Sequence, residues 1–196
     1  MRERKFDIIV GSPGSGKSTL TAAIVKKQNQ NAIVYKHVAN IDDPAFDFLT
    51  IKSQTNWRQG AAPGEAVKCK FAGRQDDYRS FLKWMISPNG YRNGMLIVDD
   101  AGLFERDRLT KEMNEIVTMR RHYGIDVILV YHGLTFLPID QFPFLNNIVI
   151  FNTNDNIRYK GAKLPQMQEL EHAVFQARQN RQNKATMYTP CIVTLY

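Results

Sequence analysis

The amino-acid sequence predicts a single α/β domain with a mainly parallel central β-sheet flanked by helices. Short apolar runs of strand type alternate with segments of helical type along the 196 residues, which is the pattern of parallel strands joined through crossover helices. A strand, a glycine-rich loop and a helix follow one another near the start of the chain. The length and the hydrophobic content of 43% suffice for one well-buried core and are too small for two comfortable domains.

The first strand–loop–helix unit carries a complete phosphate-binding loop. Residues 6–10 are an apolar run, residues 11–18 read Gly-Ser-Pro-Gly-Ser-Gly-Lys-Ser, and residues 19–27 have helical composition. Glycines let successive backbone N–H groups point at phosphate oxygens, and the positive end of the following helix faces the same anion. The alternative is a glycine-rich turn that binds nothing. The residues expected to hold a nucleoside triphosphate are Gly11, Ser12, Pro13, Gly14, Ser15, Gly16, Lys17, Ser18 and Thr19.

The remaining strands are predicted from short apolar runs with few polar interruptions. Residues 66–71 alternate apolar and basic side chains, which is typical of a half-exposed strand, whereas residues 95–98 are wholly apolar. Residues 187–196 have β composition and are expected to close an edge of the sheet. The other strands are predicted at residues 32–38, at residues 125–131 with Asp126 as the exception to their burial, and at residues 147–151.

Three further helices are predicted from apolar residues spaced three or four apart. Residues 76–86 are followed by a Pro-Asn-Gly turn, and residues 109–123 are followed by Gly124, a typical helix cap. Residues 165–180 are amphipathic and belong to a predicted C-terminal helix and strand extension over residues 157–196.

Two acidic residues follow the apolar strand of residues 95–98. An acid at the carboxyl end of a parallel strand can hold Mg²⁺ beside a phosphate loop, so Asp99 and the Ser18 hydroxyl are the predicted metal ligands. Asp100 can polarise the water that attacks a phosphate, which indicates hydrolysis of ATP; the alternative is a cap of the next segment. Lys17 is predicted to reach the β- and γ-phosphates.

His132 follows the apolar strand of residues 125–131, which is expected to run parallel to the strand before Asp99. A neutral histidine can donate one hydrogen bond to a phosphate oxygen or to the attacking water, so His132 is a predicted γ-phosphate sensor. The alternative is a ring whose polar atoms are satisfied by a loop carbonyl.

The formal net charge of +7 favours a polyanionic partner such as nucleic acid, although basic residues also serve solubility. Basic and aromatic side chains occur together in and beside the irregular residues 40–64, which suits a surface that tracks a phosphate backbone. The alternative is a solvated basic face. The side chains concerned are Lys52, Trp57, Arg58, Lys68, Lys70 and Arg74.

Cysteine usage and hydropathy indicate a cytoplasmic protein. Cys69 and Cys191 are far apart and lack metal-ligand spacing, which favours two unpaired buried thiols in a reducing compartment. No apolar run approaches the ~20 residues of a membrane span.

Three stretches together resemble the FtsK–HerA superfamily of P-loop ATPases: residues 11–18, residues 96–101 and residues 119–132. The pattern is most similar to viral genome-packaging and Zot-like members. The resemblance implies a P-loop NTPase fold of the RecA-like, ASCE type, with ATP and Mg²⁺ as cofactors. Asp100 stands where the family has glutamate, and His132 stands where it has glutamine.

The resemblance covers roughly residues 6–152 and also implies a hexameric ring. In such a ring an arginine of one subunit reaches the γ-phosphate bound by its neighbour, because a guanidinium is planar, permanently charged and able to contact two oxygens. Arg120 and Arg121 are the predicted catalytic arginines, with Arg106 and Arg108 as further candidates. The alternative for Arg120 and Arg121 is a purely structural role, because a positive charge at the carboxyl end of a helix stabilises the helix.

The leading functional hypothesis is an ATP-hydrolysing nucleic-acid translocase of the viral genome-packaging type. It would bind DNA without sequence preference, in the host cytoplasm or the virion, with the capsid or portal vertex as a further candidate partner. The alternatives are a Zot-like phage assembly ATPase and a small-molecule P-loop kinase, against which the acidic pair argues. A nucleotide-gated scaffold with vestigial hydrolysis is a third class, favoured by the departures at Asp100 and His132.

Overall fold

The computed structural model describes residues 3–155, 166–183 and 185–195. Within these residues the chain forms five α-helices and an eight-stranded, mainly parallel sheet, which confirms the predicted α/β fold. The strands are β1 Phe6–Val10, β2 Asn31–His37, β3 Thr50–Ile51, β4 Lys68–Gly73, β5 Gly94–Val98, β6 Ile125–Tyr131, β7 Asn147–Ile150 and β8 Cys191–Thr194. The helices are α1 Lys17–Lys27, α2 Gln75–Ile86, α3 Lys111–Thr118, α4 Arg120–Tyr123 and α5 Met167–Gln182. The strand order in the sheet is β3-β4-β2-β5-β6-β1-β7-β8.

The helix predicted over residues 109–123 is wrong as a continuous element, because it is divided into α3 and α4. Met119 separates the two helices, and its backbone angles of −94° and 10° lie outside the α-helical region. The predicted cap at Gly124 is confirmed: φ is +69°, and the Gly124 N–H donates to Arg120 O and Arg121 O. Residues 157–165, 184 and 196 of the predicted C-terminal extension lie outside the described residues.

The described residues fall into two compact units. The first compact unit contains residues 3–5, Ser18–Asp99 and Thr110–Ile128. The second compact unit contains Phe6–Lys17, Asp100–Leu109 and the described residues after Ile128. No helix in the described part of the chain has both the length and the apolar character that crossing a membrane requires.

Aromatic side chains attach α2 to two strands of the first compact unit. Tyr35 on β2 packs edge-on against Tyr78 of α2, with 4.9 Å between ring centroids. Phe71 on β4 lies 5.1 Å from Phe81 and stacks on Trp84 at 5.9 Å. Since β2 also pairs in parallel with both β4 and β5, it is fixed on both edges as well as on one face.

Asp126 is buried, contrary to the expectation that it is the exception in its strand. Its side chain accepts a hydrogen bond from Lys5 N at 2.9 Å and forms an ion pair with Arg4 at 3.3 Å. Gln30 Nε2 donates to the same carboxylate at 2.9 Å. A buried carboxylate needs such partners, and a local hydropathy pattern does not reveal them.

Strand pairing in the second compact unit fixes the end of β1, where the phosphate loop begins. β1 pairs in parallel with β7, and β7 pairs with β8 in antiparallel orientation, which confirms the prediction of a C-terminal edge strand. Gly11 N donates to Tyr131 O at 3.2 Å, and Ser12 N donates to Asn152 O at 2.8 Å. The first two residues of the loop are therefore anchored by backbone hydrogen bonds.

Cys69 and Cys191 are both free thiols, but they differ in exposure. Cys69 on β4 is fully buried, and this burial raises its pKa to about 12. Cys191 on β8 is only half-buried, and its pKa is raised for the same reason.

We predict that Cys69 resists thiol reagents as long as the protein is folded. In a Cys191→Ser variant at pH 8, Ellman's reagent should release no colour, because only about one Cys69 side chain in 10,000 is then a thiolate. Unfolding in guanidinium should release one equivalent. Labelling of the native variant at the rate of an unfolded peptide thiol would contradict the buried placement of Cys69.

Candidate nucleotide-binding site

The loop between β1 and α1 needs glycine for two different reasons. Gly14 and Gly16 have φ angles of +73° and +100°, in the region that side chains with a Cβ rarely adopt. Gly11 has an ordinary φ but no space, because an added Cβ would lie 2.6 Å from Phe151 Cβ and 2.7 Å from Ser15 Oγ. The loop is therefore shaped both by backbone conformation and by close packing.

The chemistry of the loop fits a phosphate group. Ser15 Oγ is buried and has no hydrogen-bond partner among the described residues. A buried hydroxyl without a partner costs about 1–3 kcal/mol, and a phosphate oxygen can accept its proton. This hydroxyl, with the positive φ angles of Gly14 and Gly16, is what an anion-binding loop requires.

The Lys17 ammonium lies against the start of the loop. Lys17 Nζ donates to Gly11 O at 2.7 Å and to Ser12 O at 3.0 Å. It also lies 3.4 Å from His132 Nδ1, and the lysine is almost completely buried. The predicted phosphate lysine and the predicted sensor are thus in contact within the second compact unit.

His132 connects Lys17 to Asp100. Its Nε2 forms a short contact with Asp100 Oδ1, on the side of the ring opposite to Lys17. An ammonium can only donate, so Nδ1 must accept, and the ring proton is on Nε2, from which it is donated to Asp100. Within the described residues, the partner of His132 Nε2 is the Asp100 carboxylate and not a loop carbonyl.

Asp100 has an unusual backbone conformation for an aspartate. Its φ and ψ of 54° and 41° are left-handed, and its side chain makes no capping hydrogen bond to the 3₁₀ turn Ala101–Leu103 that follows. The left-handed conformation is tolerated by aspartate better than by most residues and is frequent at functional sites. The side chain is directed to His132 instead of capping the turn.

A residue that sequence reasoning missed fixes the loop after His132. The Asp155 carboxylate accepts hydrogen bonds from Leu134 N and from Thr153 Oγ1, the latter at 2.9 Å. Arg178 of α5 donates to Thr153 O at 2.9 Å and to Asp155 O at 2.6 Å. No sequence signal reveals this clamp, because its residues are far apart in the chain and follow no motif.

The predicted metal ligands lie in the first compact unit and share a network that was also missed. Lys36 Nζ on β2 forms a short ion pair with Asp99 Oδ2 and lies 3.2 Å from Asp43 Oδ2. The Ser18 side chain is hydrogen-bonded to Asp43 in turn. The signal that could have found Lys36 is a charged residue within an otherwise apolar strand.

Asp43 is held as a carboxylate by its surroundings. Partial burial raises its pKa, but the hydrogen bond from Ala45 N and the charge of Lys36 outweigh this, so the pKa lies below its ordinary value. Ala45 N donates to Asp43 Oδ1 at 3.0 Å. A hydroxyl and carboxylates are hard oxygen donors, so the donor set formed by Ser18 and Asp99 fits Mg²⁺.

Comparison with known proteins places the chain in a family. A protein-family model described as zonular occludens toxin (Zot) matches residues 6–140, more than half of the chain. The chain belongs to the Zot family. The matched segment contains the phosphate loop, Asp99, Asp100 and His132, and it confirms the resemblance to Zot-like proteins. No curated protein matches the sequence significantly.

Several solved structures share the fold of this Zot-family chain. The genome packaging NTPase B204 from Sulfolobus turreted icosahedral virus 2, in complex with sulfate, gives a TM-score of 0.72 at 16% identity, covering 100% of this chain and 93% of that one. Its ATP-gammaS complex gives 0.67 at 17% identity, covering 88% and 87%. The N-terminal domain of zonular occludens toxin from Neisseria meningitidis gives 0.53 at 16% identity, covering 100% and 96%. These likenesses confirm the P-loop NTPase fold.

The two predicted catalytic arginines of this Zot-family chain have opposite environments. Arg120 is 8% exposed and donates to two backbone carbonyls, Arg4 O at 3.1 Å and Val117 O at 2.9 Å. The Arg121 side chain is 70% exposed and pairs with Glu3 at 3.0 Å. Arg106 and Arg108 are also exposed.

The basic side chains in and beside residues 40–64 do not form one uniform surface. Lys70 is buried and donates to Ile41 O at 3.1 Å, so the expectation that it lies on a basic face is wrong. Lys52 and Lys68 also donate to backbone carbonyls. Arg58 lies over the Trp57 ring at 5.2 Å and is exposed, as is Arg74.

We predict that the loop glycines differ in their tolerance of a methyl group. Gly11→Ala should lower the free energy of unfolding by about 1–3 kcal/mol through steric overlap with Phe151. Gly16→Ala should cost a similar amount, about 1–3 kcal/mol, because alanine is strained at its φ. Urea denaturation measures both effects.

The matched control for both glycine variants is Gly102→Ala. The nearest atom to a Cβ there would be 3.6 Å away, an ordinary contact, and the φ of Gly102 is not positive. Its stability should stay within about 0.5 kcal/mol of wild type. Equal losses in all three variants would contradict the packing described at Gly11.

Proposed function

We propose that this Zot-family protein is an ATP-hydrolysing nucleic-acid translocase that acts in viral genome packaging as a single ATPase domain within a ring oligomer. The contact chain from Lys17 through His132 to Asp100 supports this most directly. It joins the phosphate-binding lysine to an acid that can act on water. In a kinase such an acid would act on the hydroxyl of a bound acceptor in place of water, so release and transfer of phosphate distinguish the two functions.

Each residue of the site has a proposed role in hydrolysis. Residues 11–19 bind the phosphates of ATP, and Ser18 and Asp99 hold Mg²⁺, which neutralises charge on the phosphate oxygens. Asp100 orients and polarises a water molecule. The water oxygen bonds to the γ-phosphorus as Asp100, acting as the base, takes up a proton of that water; the bond from the phosphorus to the bridging oxygen breaks, and ADP and phosphate leave.

His132 has a positioning role in this proposal. Asp100 is one methylene shorter than the glutamate it replaces, so its orientation has to be fixed more closely. Nε2 of His132 contacts the Asp100 carboxylate while the other ring nitrogen faces Lys17. Movement of Lys17 toward a phosphate is thereby coupled to the ring that orients the acid.

Of Arg120 and Arg121, Arg121 is the better candidate for action on a neighbouring subunit. Such an arginine has to leave its own subunit, and Arg120 is buried on backbone carbonyls whereas Arg121 is exposed. The ion pair of Arg121 with Glu3 is at the surface, where a pair contributes about 0–1 kcal/mol and is easily exchanged.

Nucleic acid is the proposed polymer. The net charge of +7, the exposed Arg58 and Arg74 and the half-buried Trp57 beneath Arg58 support sequence-independent contact with a phosphate backbone. One similar structure is that of B204, the DNA-packaging ATPase from Sulfolobus turreted icosahedral virus. The Zot family match equally favours a second candidate, an ATPase of phage assembly.

We predict that the purified protein hydrolyses ATP and that duplex DNA stimulates the rate. Asp100→Asn should keep ATP binding and lose about 10²–10⁴ in turnover, because the amide cannot polarise water. Lys17→Ala should lose ATP binding as well, because it removes a phosphate contact. Phosphate release and binding of a fluorescent ATP analogue measure the two quantities.

Asp47→Asn is the control for these variants, since Asp47 is exposed and outside the site. Its turnover should equal that of wild type. Unchanged turnover in Asp100→Asn would remove the assignment of the base. Phosphate transfer to a nucleoside acceptor in place of release would favour a kinase.

We predict that Arg121 acts across a subunit interface. Arg121→Ala alone should lose about 10³–10⁵ in turnover. Asp100→Asn alone should also lose turnover, because it lacks the acid that acts on water. A mixture of the two should recover activity, because a subunit with Asp100→Asn still offers Arg121 to an intact neighbouring site. Phosphate release by mixed rings, with the mass measured in solution, tests this. A mixture no more active than its components would exclude Arg121 as the arginine in trans.

A further inference from the structure

Lys36 is the most deeply buried charge near the proposed metal ligands. It is 1% exposed and lies inside β2, between the carboxylates of Asp99 and Asp43. The ammonium also lies 4.6 Å from the centroid of the Phe46 ring. A lysine is almost never buried unless it is paired, so the two carboxylates are what allow the Lys36 ammonium to be buried here.

The contacts of Lys36 form a continuous path between the two proposed metal ligands. Asp99 contacts Lys36, Lys36 contacts Asp43, and Asp43 is hydrogen-bonded to the Ser18 side chain. All of these residues belong to the first compact unit. The orientation of each ligand is therefore set by a partner that the phosphate-loop motif does not contain.

The charges of these three groups oppose one another. Asp99 and Asp43 contribute two negative charges at neutral pH, and Lys36 contributes one positive charge, which leaves one negative charge. A divalent cation at Asp99 is repelled by the ammonium beside it and attracted by Asp43. The Lys36 ammonium and the cation also compete for the same carboxylate oxygens.

We propose that Lys36 and Asp43 are positioning residues that set the divalent-cation affinity of the nucleotide site, with Lys36 lowering it and Asp43 raising it. The inference rests on the proposed function, because it takes Ser18 and Asp99 as the ligands of Mg²⁺. Its consequence is that the cation binds poorly to the protein alone and well once nucleotide phosphates add their negative charge.

Two single variants change the net charge of the group formed by Asp99, Lys36 and Asp43, and a double variant restores it. Each replacement keeps a similar side-chain size. Asp43→Asn brings the net charge of this group to zero, and Lys36→Met brings it to two negative charges. The double variant Lys36→Met/Asp43→Asn restores the single negative charge of wild type. The double variant also leaves no pair of buried like charges, so it is the safer variant to fold.

The experiment measures Mn²⁺ binding to the ADP complex of each variant by electron paramagnetic resonance. Asp43→Asn should bind about tenfold more weakly than wild type, a typical effect of an outer-shell partner. Lys36→Met should bind about tenfold more tightly, as expected on removal of a neighbouring positive charge. The double variant should lie close to wild type. Circular dichroism checks that each variant is folded.

The order of affinities decides the proposal. Weaker binding in both single variants would show a merely structural role and overturn it, as would equal affinities throughout. If Lys36→Met does not fold, the double variant must still bind Mn²⁺ more tightly than Asp43→Asn. ADP binding measured in EDTA distinguishes failure of the proposed function from failure of this inference. If wild type does not bind ADP, the proposed function is wrong. If ADP binds but the order of Mn²⁺ affinities is wrong, only this inference is overturned.

Discussion

The burial of the Lys36 ammonium inside the β-sheet constrains the structure at the carboxyl ends of β2 and β5. Tyr35 is in register with Val98, and Asp99 N donates to Tyr35 O at 2.9 Å, so Lys36 and Asp99 follow side by side. A buried ammonium without a carboxylate is prohibitively unstable, and a buried carboxylate without a cation is nearly so. Strand register and charge pairing therefore support each other: the register places Lys36 beside Asp99, and their ion pair makes the burial of both charges possible.

The fold could be predicted from the sequence because its signals are local. The glycines and Lys17 of the phosphate loop lie within eight consecutive residues, and apolar strands such as β5 stand out by composition. The division of one predicted helix at Met119 could not be predicted, because a single backbone conformation outside the helical region leaves the apolar spacing of the segment intact.

The candidate site was only partly predictable, for a physical reason. Asp99, Asp100 and His132 directly follow the carboxyl ends of apolar strands, and Lys17 begins α1 after the glycine-rich loop, so local patterns predict all four. The network around Asp99 is different: Lys36 lies inside an otherwise apolar strand, and Asp43 lies in an irregular segment. Hydrogen bonds between distant segments leave no periodic trace in a sequence.

The clamp of Asp155 and Arg178 gives α5 a mechanical connection to His132. Arg178 donates hydrogen bonds to the backbone carbonyls of Thr153 and Asp155. The Asp155 side chain accepts a hydrogen bond from Leu134 N, two residues after His132. A displacement of α5 would therefore act, through these hydrogen bonds, on the backbone two residues after His132. Under the proposed function, α5 would connect movement elsewhere in an assembly to the residue that positions Asp100.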